Sequence, residues 1–178
     1  MTAVSQDLAG RAAGLVHDVP DYPQPGVVFK DITPLLADGA VFGELVHHMV
    51  ERAPEGIDLV VGMEARGFIL GAPVAVALGA GFVPVRKAGK LPRETLSGSY
   101  DLEYGSAVIE IHSDTIRPGA RILVVDDVLA TGGTAAATVA LLEEAGGVVA
   151  GMAFLMELTF LAGRARLPGR ALDVLLSY

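Results

Sequence analysis

Apolar positions change their spacing along this chain, and the changes divide it into elements. Residues 5–17 carry a short amphipathic helical pattern. Pro20, Pro23 and Pro25 with Gly26 then forbid a helix and favour an extended segment crossing the surface, followed by a strand-like Val27-Val28-Phe29. Phe42, Leu45, Val46, Met49 and Val50 return to helical spacing over residues 39–53. After this the apolar runs become short, rich in Val, Ile and Leu, and several are nearly continuous: 57–61, 82–85, 107–111, 121–125, 148–155 and 172–176. Such runs fit strands buried on both faces of a parallel sheet. Helical patterns over 67–78 and 133–145 separate them. Alternating strands and helices predict an α/β fold, a mainly parallel central sheet flanked by helices.

Two stretches change this picture. Residues 67–85 hold no charge over 19 positions, long enough to span a bilayer, but they include four glycines and two prolines. They read as a buried helix to Leu78, a turn at Gly79-Ala80-Gly81, and a strand over 82–85. Residues 86–105 are polar, basic at first and without strong periodicity, which predicts a functional loop or flexible lid.

The 178 residues, with no linker and no internal repeat, predict one domain over 1–178. Hydrophobic residues make up 52% of the chain, enough for a core. The net charge of -8 and the absence of a Lys/Arg block argue against a nucleic-acid or anionic-membrane surface, though not against a small pocket for an anion. Without cysteine there is no disulfide framework, thiolate nucleophile or Cys-ligated metal. Met1 to Asp7 show no basic stretch leading into an apolar run, so no signal peptide is expected and the cytoplasm is the expected location. His17, His47, His48 and His112 show no ligand spacing, so no metal held by protein side chains is expected.

The strongest chemical signal is Ile122-Leu123-Val124-Val125-Asp126-Asp127-Val128-Leu129-Ala130-Thr131-Gly132-Gly133-Thr134. A buried strand ends in two acids, and a glycine turn opens an Ala-rich helix. Glycines admit a ligand close to backbone N–H groups, and a helix N-terminus favours phosphate. Thr131 and Thr134 add hydroxyl donors. Carboxylates beside a phosphate repel it unless they hold hydroxyl groups or a metal, and a ribose 5-phosphate satisfies both halves. The bland alternative is an ordinary strand-to-helix turn capped by threonine. Arg66 follows a strand end and precedes a helix, the ligand-facing edge of an α/β sheet. Only three lysines occur, and Lys87 and Lys90 stand beside Arg86 in the polar stretch.

Residues 122–134 resemble the phosphoribosyl-diphosphate-binding motif of the type I phosphoribosyltransferases. Asp21-Tyr22-Pro23-Gln24-Pro25-Gly26-Val27-Val28-Phe29-Lys30-Asp31-Ile32 is similar to the base-binding segment of that family's adenine-using branch. Glu64-Ala65-Arg66-Gly67-Phe68, Arg86-Lys87-Ala88-Gly89-Lys90-Leu91-Pro92, Tyr100-Asp101-Leu102-Glu103-Tyr104-Gly105 and Glu157-Leu158-Thr159 with Gly163-Arg164 extend the likeness over about residues 20–165, in order.

The resemblance implies the type I phosphoribosyltransferase fold, with residues 1–35 as a base-binding segment and 86–105 as a flexible hood. It implies transfer of phosphoribose from 5-phosphoribosyl 1-diphosphate to adenine, giving AMP and diphosphate in purine salvage. Asp126, Asp127, Ala130, Thr131, Gly132, Gly133 and Thr134 would hold ribose and phosphate; Arg66, Lys87, Lys90 and Tyr104 the diphosphate; Val28, Phe29, Lys30 and Leu158 the adenine. Phe29 by itself reads equally as core. Glu103 would exchange a proton with the purine. Mg²⁺ would arrive bound to substrate oxygens, and the enzyme would be a homodimer. A cis peptide at Glu64–Ala65 is also implied. Another purine as substrate, or a non-catalytic sensor of phosphoribosyl diphosphate, is the alternative reading; the sensor would need a DNA-binding appendage for which the acidic chain leaves no room.

Overall fold

The computed structural model describes residues 3–101 and 106–178. The chain forms two compact units, Met1–His48 and Met49–Tyr178.

In the first unit, α1 (Ala3–Gly14) buries Leu8 and Ala12. Arg11 forms a two-pronged ion pair with Glu44. Strands β1 (His17–Pro20) and β2 (Val28–Asp31) pair antiparallel, Val19 opposite Phe29. The connection between them contains a cis Tyr22–Pro23 bond, and Asp21 Oδ1 accepts the Gly26 N–H at 2.8 Å. A short helix α2 (Thr33–Ala37) starts where the Asp31 carboxylate accepts the Thr33 N–H at 2.9 Å and its hydroxyl at 2.8 Å. Helix α3 (Gly39–Arg52) begins in this unit and ends in the next; Asp38 Oδ1 accepts the N–H groups of Ala40 and Val41 at its start.

The second unit is a seven-stranded sheet built from β3 (Leu59–Met63), β4 (Gly81–Lys87), β5 (Thr95–Asp101), β6 (Ser106–His112), β7 (Arg121–Leu129), β8 (Val148–Glu157) and β9 (Leu172–Ser177). Its order is β5-β6-β4-β3-β7-β8-β9, parallel from β4 to β9 and antiparallel at β6 and β5. Helices α4 (Arg66–Leu78) and α5 (Gly133–Glu144) follow β3 and β7. Val61, Met63, Ile122, Val124, Leu141, Leu142 and Phe154 form part of the core. The α/β expectation holds.

Helix α4 packs close to the sheet because its facing positions are glycines. A Cβ on Gly67 would stand 2.7 Å from the Val125 carbonyl oxygen, and one on Gly62 2.6 Å from the Gly67 oxygen. The uncharged stretch 67–85 is this helix, a left-handed turn at Gly79, and β4. No helix among the described residues is long and apolar enough to cross a membrane. In β8 the register shifts: Ile122 faces Val149, but Leu123 faces Gly151, so Ala150 is an extra residue.

Two expectations are corrected. Much of 86–105 is strand: β4 runs to Lys87, and β5 begins at Thr95 with Gly98 against Ala137 and Leu141 of α5. Strand β7 does not stop before the acids but continues through Asp126 and Asp127 to Leu129, held by pairing with β8.

Candidate active site

A cleft of about 310 Å³ opens at the C-terminal ends of β3 and β7. Met63, Val85 and Ile109 supply apolar lining; Glu64, Ala65, Arg66, Lys87 and the run from Asp126 to Ala135 supply the rest. This is the sheet edge where α/β proteins bind ligands, because strand ends and helix starts converge there. The structure thus brings together Arg66, Lys87, Asp126, Asp127, Ala130, Thr131, Gly132, Gly133 and Thr134.

The loop into α5 turns at Gly132, whose φ is +77°, a left-handed conformation that glycine adopts without steric cost. No side chain caps α5, so its first-turn N–H groups lack a capping side chain. With Thr131 exposed and Thr134 half-buried beside them, the turn offers donors to an anion.

Asp127 is nearly buried, and its Oδ2 meets Arg66 Nε at 2.8 Å. Asp126 Oδ1 accepts the Asp127 N–H at 2.9 Å. Burial pushes the Asp126 carboxyl well above the usual carboxylate range, and the neighbouring Asp127 charge adds to it. Burial also raises Asp127, against the opposing pull of Arg66. Two carboxyls held this way suit neutral hydroxyl partners rather than a second anion.

The peptide Glu64–Ala65 is cis, as the resemblance implies. Glu64 is a residue that the sequence reading did not assign to the site. Its carboxylate accepts the Lys87 N–H at 2.9 Å and pairs with Lys90 Nζ at 2.8 Å and Arg86 Nε at 3.3 Å. Burial acts to raise its pKa, but these donors hold it below the usual carboxylate value. Its place between a strand end and Arg66 was the available signal. Lys90 therefore reaches the cleft through Glu64 and does not line it itself.

Leu158 follows β8 and donates its N–H to the Leu129 carbonyl at 3.0 Å, outside the cleft lining. The preceding Glu157 is buried and pairs with Arg164 at 2.6 Å. Val28, Phe29 and Lys30 lie on β2 of the first unit, with Tyr22 and Phe29 rings edge-to-face at 5.2 Å and Lys30 Nζ at 2.6 Å from Asp18. Glu103 and Tyr104 lie outside the described residues. Among the described residues no three His, Asp or Glu side chains cluster as a metal site.

Fold and cleft together define a phosphoribosyltransferase, and the family model of the phosphoribosyl transferase domain matches residues 32–171. The adenine phosphoribosyltransferase of Streptomyces coelicolor is 62% identical over 167 residues, 91% of this chain and 92% of the relative. That of Acidothermus cellulolyticus is 58% identical over 171 residues, 96% of this chain and 97% of the relative. The crystal structure of adenine phosphoribosyltransferase from Rhodothermus marinus superposes with a TM-score of 0.94 at 50% identity, covering 97% and 99% of the two chains. That from Saccharomyces cerevisiae, complexed with adenine and an imino-altritol bisphosphate, gives 0.90 at 41%, covering 96% and 99%. The chain belongs to the adenine phosphoribosyltransferase family.

Proposed function

We propose that this protein transfers the phosphoribosyl group of 5-phosphoribosyl 1-diphosphate to N9 of adenine, releasing diphosphate and AMP in purine salvage. The observation that carries this reading is one cleft holding Asp126, Asp127, the Ala130–Thr134 turn and Arg66. The turn takes the 5-phosphate, the two aspartates take the ribose hydroxyls, and Arg66, Lys87 and Lys90 take the diphosphate. As the C1–oxygen bond breaks and the C1–N9 bond forms, negative charge gathers on the departing oxygens, where fixed cations stabilise it. Glu103 takes the proton that N9 gives up.

Asp127, buried and paired with Arg66, is already engaged by a cation, which fits Mg²⁺ entering with the substrate rather than being held by protein side chains. When bound it neutralises part of the leaving-group charge. Turnover assays with each purine, Mg²⁺ and phosphoribosyl diphosphate test the reading: AMP from adenine supports it, and no product from any purine overturns it. The cytoplasm is the proposed location.

A homodimer is part of this proposal. The outward positions of α4 include Ile69, Ala72 and Val76, and Val76 is 82% exposed on a helix without a charge after Arg66. Such an apolar row is suited to a second copy. Light scattering is expected to give twice the chain mass, and Val76→Glu a monomer; a wild-type monomer overturns the assignment.

A further inference from the structure

We propose that Glu110 is a positioning residue for the transfer: its carboxylate holds the Gly89–Leu91 backbone so that Lys90 is presented at the mouth of the cleft. The inference rests on the reading of Lys90 as a diphosphate-binding cation.

Ile109 and Ile111 turn into the core, so alternation along β6 sends Glu110 to the opposite face of the sheet. It is nonetheless only 6% exposed. A carboxylate withdrawn from water is costly unless hydrogen bonds replace the lost hydration. Here the segment joining β4 to β5 supplies them. Oε1 accepts the N–H groups of Lys90 at 3.1 Å and Leu91 at 3.3 Å, and Oε2 accepts the Thr95 hydroxyl at 3.4 Å.

The same segment is tied to β6 and its continuation at both ends. Ala88 N–H donates to the Val108 carbonyl at 3.0 Å, and Ser113 N–H donates to the Glu94 carbonyl at 3.1 Å. Glu110 thus stands under the middle of an arch whose crown is Lys90. The turn at Gly89, with φ of +80°, lets the chain bend over it. The Lys90 carbonyl also accepts Arg86 Nη1 at 3.4 Å. Lys90 itself is about half exposed, so little packing orients its stem; its direction comes from the pinned backbone and from Glu64 at 2.8 Å.

The place favours an ionised acceptor. Two adjacent N–H groups converge on one oxygen; a glutamine keeps that oxygen by turning its amide nitrogen to the Thr95 hydroxyl, but lacks the charge that strengthens both bonds. Glu110→Gln preserves volume and removes only this charge. A charge-assisted hydrogen bond is worth about tenfold in an equilibrium constant, so Glu110→Gln is expected to raise the KM for phosphoribosyl diphosphate about tenfold, with kcat within about twofold. Amide hydrogen exchange should quicken at Lys90 and Leu91. In a Lys90→Ala background, Glu110→Gln should add nothing further to KM, an effect a purely structural role would not produce.

The outcomes separate the inference from its foundation. If Lys90→Ala leaves KM unchanged, the diphosphate reading of Lys90 falls and this inference with it. If Lys90→Ala raises KM but Glu110→Gln does not, or raises it equally in both backgrounds, the inference alone falls.

Discussion

Gly132 and Gly163 lie back to back: a Cβ on Gly163 would stand 3.1 Å from the Gly132 nitrogen and overlap the Ala130 carbonyl oxygen. Neither side of this contact can give way, because both are backbone. The Ala130–Thr134 turn, proposed to take the 5-phosphate, is thus shaped in part by a segment some thirty residues downstream. Gly163→Ala is expected to displace the turn and raise the KM for phosphoribosyl diphosphate at least about tenfold. Steady-state kinetics beside a thermal melt check this; an unchanged KM in a folded variant refutes it.

The acid pair carries a stability consequence. The Asp126 carboxyl titrates higher in the folded protein than in the unfolded chain. A raised carboxyl pKa means that folding is penalised as pH rises past the ordinary aspartate value of about 3.9, where only the unfolded chain loses its proton. Asp126→Asn removes that penalty while its oxygen can still accept the Asp127 N–H. Its Tm at pH 7 should exceed that of the wild type, with the gain shrinking toward pH 3. Its kcat/KM should fall, as should that of Asp127→Asn. Melts across pH together with kinetics check both halves; unchanged kcat/KM in both variants sinks the ribose assignment.

Glu103→Gln is expected to lower kcat by about 10²-fold or more while changing the adenine KM little, as befits a proton-transfer partner. A loss within about threefold in a single-turnover assay assigns the side chain no proton transfer.

On the proposed reading, base choice is expected to follow from β2. Peptide groups alternate edges along a strand, so the Val28 carbonyl and the Lys30 N–H share one edge. Adenine offers a 6-amino donor and an N1 acceptor to such a pair, and hypoxanthine offers the reverse. Discrimination of roughly 10⁴ in kcat/KM is expected. Lys30→Ala should keep the preference, whereas Phe29→Ala should weaken all purines, losing about 0.5–1.5 kcal/mol of ring contact beyond burial. Comparable kcat/KM for adenine and hypoxanthine overturns the adenine assignment.

Much of this architecture is readable in the chain itself. The parallel strands announce themselves as runs such as Ile122-Leu123-Val124-Val125, because strands buried on both faces have no polar side to show. The acids and glycines after them mark the site. Strand β5 was hidden because Thr95, Ser97, Gly98 and Ser99 read as a loop. Gly98, ordinarily a strand breaker, is the position where α5 closes on the ribbon, with Ala137 O and Leu141 Cβ 3.7 and 3.6 Å from where its Cβ would be. The full length of β7 was hidden because buried charge is costly and two aspartates look like an end. Glu110 is silent for a related reason: a carboxylate that serves other residues' N–H groups has no signature in its own neighbours.

The register shift at Ala150 makes strand length a matter of phase. A slip of one residue exchanges the two faces of a strand. With Ala150 accommodated, Leu129 pairs with Glu157, which turns inward to Arg164. Remove that one alanine and Val149 and Gly151 would still face Ile122 and Leu123, so the downstream pairs would keep their faces; remove a residue beyond Gly151 instead and Glu157 and Leu158 would exchange sides. The far end of β8 therefore tolerates changes in residue type more readily than changes in residue number.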